Sequence, residues 1–76
     1  MTAMSGTDLA DEIARAVRER TAGRLREASV AVTDDAVIVR GVAPSYYLKQ
    51  LALEAARASL RGLPVLIRLE VTVHGR

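Results

Sequence analysis

Val30-Ala31-Val32-Thr33-Asp34-Asp35-Ala36-Val37-Ile38-Val39-Arg40-Gly41-Val42-Ala43-Pro44-Ser45 reads as two short alternating runs joined by a tight acidic turn, then a glycine, then a proline that hands over to a helix. Alternation puts Val30 and Val32 on one face, and Val37 and Val39 on one face of the returning strand. Asp34 and Asp35 suit the turn, because short acidic side chains tolerate left-handed or Asx-type geometry. Val37-Ile38-Val39 is apolar on both faces, the pattern of a central strand with a neighbour on each side. Gly41 is expected to close this strand, where a side chain would obstruct a bend or a close helix approach. Pro44 sets Ala43 extended, and Ser45 is placed to cap a helix.

Upstream of the hairpin, a helix is expected from near Ser5 to Asp8 as far as about Thr21. Ser5 or Thr7 can cap it, and Asp8, Asp11 and Glu12 complement the positive end of its dipole. Leu9, Ile13, Ala16 and Val17 share one stripe, Gly23 is a natural stop, and Leu25 is a lone apolar residue suited to plugging the core edge. Downstream, a second helix is expected from Ser45 to about Leu60. Its sheet-facing stripe is Leu48, Leu51, Ala52, Ala55 and Ser59. A further stripe, Tyr46, Leu53 and Leu60, is either a contact with helix one or an exposed apolar ridge for a partner or a lipid surface. Gly62 and Pro64 end the helix, and Val65, Ile67, Leu69, Val71 and Val73 then alternate with Leu66, Arg68, Glu70 and Thr72 in a third strand.

The order helix, strand, strand, helix, strand predicts an α+β fold, αββαβ. A right-handed crossover through helix two sets strand three parallel to a central strand two. The result is a three-stranded mixed sheet, order 1-2-3, with two helices packed on one face. The other face would carry Ala31, Thr33, Ile38, Arg40, Leu66, Arg68, Glu70 and Thr72, with Ile38 and Leu66 as a small association patch. Residues 1–7 are expected to be a disordered segment, 8–73 a single domain and 74–76 a frayed tail.

A 76-residue chain has room for one small domain, which buries roughly 60% of the surface of its unfolded chain. Tyr46 and Tyr47 are the only aromatic residues, so the core must be built from Val, Leu, Ile and Ala. The lack of cysteine excludes a disulfide framework, a thiolate metal site, a thiol nucleophile and a lipid-anchored cysteine. The formal charge is +2, unevenly spread: up to Ile38 five arginines face seven acids, and from Val39 on six cations face two acids. Ten of the eleven cations are Arg, which favours bidentate contact with phosphate or carboxylate. No leader and no membrane-spanning stretch is evident, so the chain as it stands is expected to be cytoplasmic. A removed leader would make it periplasmic or envelope-associated.

Catalysis needs a nucleophile, a base or a metal set gathered in a pocket, and the sequence offers none. His74 is the only histidine and lies in the tail, and Asp34 and Asp35 are turn neighbours whose side chains diverge. No Gly-rich phosphate loop or paired-histidine motif is present, so no catalytic, metal or cofactor residue is expected. The one arrangement that invites a ligand is the entry to helix two, where Arg40, Ser45, Tyr46 and Lys49 are candidates for contact with an anion or lipid headgroup.

With the hairpin and helix two side by side, the chain resembles the BON domain, a small αββαβ module of bacterial envelope and stress proteins. The resemblance rests on Val30-x-Val32-x-Asp34-Asp35-x-Val37-x-Val39-x-Gly41-x-Ala43-Pro44-Ser45, the alanine-rich helix through Leu51, Ala52, Ala55 and Ala56, and Gly62-Leu63. It covers roughly Leu9 to Val73. Asp35 stands where the family's turn usually has glycine, and Pro64 is inserted after the family's Gly-Val position. The resemblance implies a non-enzymatic binding module that contacts phospholipid membranes or a protein partner. The alternative is a self-associating module, similar to the ring-building αββαβ domains of secretion systems. A nucleic-acid binder is disfavoured, because the chain lacks a GxxG loop and sheet-face aromatics for stacking bases.

Overall fold

The hairpin and its two flanking helices build the expected architecture, in a computed structural model that describes residues 6–74. The elements are α1 (Gly6–Arg20), β1 (Arg26–Val32), β2 (Ala36–Ala43), α2 (Tyr46–Leu60) and β3 (Leu66–Val73). They form a three-stranded sheet in the order β1-β2-β3, with β1 antiparallel and β3 parallel to β2. Register explains why β2 is apolar throughout. Val37 and Val39 face Val32 and Val30 on one side and Ile67 and Leu69 on the other, and all six belong to the face under the helices. Ile38, Arg40, Leu66, Arg68, Glu70 and Thr72 alternate onto the far face.

The core lies between that sheet face and the helices. Ile13 and Val17 of α1 meet Leu48, Ala52, Ala55, Ala56 and Leu60 of α2 over Val37, Val39, Ala43 and Val71. Small residues let the helices come close, and they run antiparallel, since Arg20 pairs with Glu54 at 2.9 Å and Glu12 with Arg61 at 3.9 Å. Both pairs are well exposed and contribute about 1 kcal/mol or less each. Thr21 is the one buried polar residue among those described; its hydroxyl donates to the Val17 carbonyl at 2.7 Å, so its burial leaves no unmet hydrogen bond.

Several boundaries move, each for a physical reason. Gly41 does not close β2 but lies inside it, opposite a bulge in β1. Arg26 pairs with Val42 and Ser29 with Arg40, so Glu27 and Ala28 together oppose Gly41, and Glu27 takes φ 53°. β1 therefore starts at Arg26, four residues before the alternation becomes clean. The hairpin turn needs no left-handed aspartate. The Thr33 hydroxyl accepts the Ala36 N–H at 3.1 Å, and the Thr33 N–H donates to the Ala36 carbonyl at 2.8 Å.

α1 begins at Gly6, within the segment expected to lack structure; Ser5 and the remainder of that segment lie outside the described residues. At the other end, His74 is not frayed, since its N–H donates to the Ala43 carbonyl at 2.8 Å and extends the pairing of β3. Gly75 and Arg76 lie outside the described residues.

Candidate binding surface

The entry to α2 is built as the sequence suggests. Ser45 takes extended geometry (φ −152°, ψ 160°), and its hydroxyl accepts the Leu48 N–H at 3.3 Å, capping the helix. Tyr46 and Tyr47 are 62% and 70% exposed, and Lys49 Nζ stands 6.0 Å from the centre of the Tyr46 ring, at the outer limit of cation–π attraction. Ser45, Tyr46 and Lys49 are thus neighbours. Arg40 is not with them. It projects from the face of β2 that carries no helix, and its Nε donates to Glu70 Oε1 at 2.8 Å. Glu70 also lies 3.5 Å from Arg68, so one carboxylate sits between two guanidinium groups.

Tyr46, Leu53 and Leu60 do not form one ridge. Leu60 follows Ala52 and Ala56 at four-residue steps and continues their buried row into the core, where it is 3% exposed. Leu53 is half-buried and turns toward β3, not toward α1; α1 is met instead by Ala55, Ala58 and Ser59.

Leu53 belongs to a feature that the sequence reading missed. Together with Leu60, Leu63, Val65, Ile67 and Leu69 it lines a groove of about 490 Å³ between α2 and the outer side of β3, its lining aliphatic except for Arg57. Leu63 and Leu66, at its lower end, are 55% and 65% exposed. α2 lies over both β2 and β3 and leaves Ile67 and Leu69 at the outer side of β3 only partly covered. Its signal in the sequence was the apolar pair Leu63 and Leu66 around Pro64, outside any helical stripe.

The backbone beside the groove is open as well. Leu66 N–H donates to the Asp35 carbonyl and His74 N–H to the Ala43 carbonyl, so the even-numbered residues of β3 bond toward β2. By alternation, Ile67, Leu69, Val71 and Val73 direct N–H and C=O away from the sheet, where no described strand pairs with them.

Among the described residues no helix is long and apolar enough to cross a membrane. No protein-family model matches the chain, and neither a curated protein nor a solved structure matches it.

Proposed function

We propose that this chain is a non-enzymatic binding module that takes an extended segment of a protein partner along the free edge of β3. The observation that carries this is the coincidence of open backbone groups on Ile67, Leu69 and Val71 with the groove beside them, lined by Leu53, Leu60, Leu63 and Val65 and bordered by Arg57. An added strand gains ladder hydrogen bonds from the first, and its alternate side chains gain burial from the second. The two edges of the sheet are also unlike. β1 is interrupted by the bulge at Glu27 and Ala28, a usual way of blunting an edge, whereas β3 holds unbroken register with β2 from Leu66 to Val73 without glycine or proline. The likeness to BON domains points to the same class, a module that binds and performs no chemistry.

Titration with a short peptide alternating threonine and valine between terminal lysines tests the reading by amide NMR. Shifts should concentrate on Ile67, Leu69 and Val71 and reach Leu53 and Leu63. Shifts confined to other elements, or none, would defeat it.

A second reading, contact with anionic phospholipid, is favoured by one observation: Tyr46 and Tyr47 stand exposed beside Lys49 at the end of the molecule that also holds Val73. Amphipathic rings next to a cation suit a headgroup layer. Flotation with phosphatidylglycerol vesicles at low and high salt tests it, and no co-flotation at either salt rejects it.

A further inference from the structure

We infer that the segment taken by β3 is β3 of a second copy of this chain, paired antiparallel about a two-fold axis at Leu69. This rests on the β3-edge reading above and adds the identity of the partner. Such an axis, perpendicular to the sheet, keeps the helices of both copies on one face and makes the contact self-complementary. Leu69 then faces Leu69 of the other copy, and Ile67 faces its Val71. These are the residues whose N–H and C=O point outward, so they form the hydrogen-bonded pairs of the new ladder. Arg68 and Glu70 fall between them, at the pairs without hydrogen bonds, where antiparallel side chains come closest.

Charge selects this register. With Leu69 on the axis, each Arg68 stands opposite the other copy's Glu70, on the uncovered face of the sheet. Sliding by one step in either direction keeps the ladder satisfied, but sets Arg68 against Arg68 or Glu70 against Glu70, and like charges directly opposite are destabilising. Both side chains are within reach: Arg68 is 60% exposed, and Glu70, 36% exposed and held by Arg40 through Oε1, keeps Oε2 for the other copy's Arg68 in place of its own. On the covered face, the second copy's Ile67, Leu69 and Val71 extend the apolar layer beneath the groove lined by Leu53 and Leu63.

Sedimentation equilibrium of the whole chain over a wide concentration range is the test, with Arg68→Glu, Glu70→Arg and the double exchange Arg68→Glu/Glu70→Arg. The unaltered chain should form a concentration-dependent dimer. Each single exchange should weaken it about tenfold, because the symmetric dimer holds two such pairs and both are reversed. The double exchange should recover most of it, short of the full affinity because Arg40 loses its Glu70 partner within each copy, and an equimolar mixture of the two single variants should dimerise more tightly than either alone. Circular dichroism confirms that each variant is folded. A chain that stays monomeric at all concentrations, or a dimer indifferent to these exchanges, overturns the inference. If the monomeric chain still takes the alternating peptide on β3, the edge reading survives and its occupant is another protein. If the peptide also fails, both fall.

Discussion

A methyl group on Gly41 would stand 2.9 Å from Cγ of Leu25, closer than carbon atoms approach in a relaxed core. The Arg26 carbonyl oxygen would lie 3.1 Å away on the same side. The bulge at Glu27 and Ala28 folds β1 over this point of β2, and Leu25, 7% exposed, seals the core there. Gly41 is therefore required by contact and not by backbone angle. Gly41→Ala should cost about 1–3 kcal/mol, as overpacking does, measured from the urea midpoint. In the double variant Leu25→Ala/Gly41→Ala the losses should sum to less than the two singles, because the cavity left by Leu25 receives the new methyl.

Both helices end on a residue other than glycine in the left-handed region, followed by a glycine also at positive φ: Ala22 (56°) before Gly23 (71°), and Arg61 (52°) before Gly62 (83°). After α1 the Gly23 N–H reaches the Arg18 carbonyl at 2.8 Å and the Ala22 N–H the Glu19 carbonyl at 3.2 Å, which makes Ala22 the position where glycine usually stands. Left-handed backbone costs alanine about 1–2 kcal/mol, of which glycine's greater freedom in the unfolded chain returns part. Ala22→Gly should therefore stabilise the chain by about 0.5–1 kcal/mol. A fall in its thermal midpoint would contradict this account.

Thr21 offers a contrasting substitution. Its methyl packs at zero exposure while its hydroxyl donates to Val17, whose carbonyl also accepts the Thr21 N–H at 3.0 Å. Thr21→Val keeps the shape and leaves that carbonyl bonded, so the loss should be about 1 kcal/mol or less. Thr21→Ala removes the methyl as well and should cost more. Equal losses for the two variants would show that the hydroxyl alone matters.

Features set by local periodicity were legible in the sequence. Val37-Ile38-Val39, apolar on both faces, announced a central strand, Pro44 and Ser45 announced the start of α2, and the alternation from Val65 announced β3. What was not legible depends on how elements meet. Leu60 enters the core because of the way α2 lies across β2 and β3, and Thr21, a helix end by its sequence, is buried beside Val17 and Leu25. The bulge has no marker, because Glu27 sits where glycine would have signalled it. Arg40 lies five residues before Ser45 in the chain, but the pleat of β2 sends it to the other side of the sheet, toward Glu70. Sequence distance joined Arg40 to the α2 entry, and strand geometry separated them.

The groove and the α2 entry sit at opposite ends of α2, so one substitution at each should separate the two binding readings. Leu63 is 55% exposed and Tyr47 70%, and changing either should move the urea midpoint little, by about 0.5 kcal/mol. Leu63→Asp replaces an aliphatic wall of the groove with a charge in the same lining as Arg57, and an incoming strand loses the apolar contact and has to desolvate the carboxylate. It should lower affinity for the alternating peptide at least tenfold and leave vesicle flotation unchanged. Tyr47→Asp should do the reverse, because it removes an amphipathic ring and adds a negative charge beside an anionic surface. Peptide affinity unchanged in Leu63→Asp would show that the groove contributes nothing to strand capture, and would leave the ladder bonds of Ile67, Leu69 and Val71 to account for it alone.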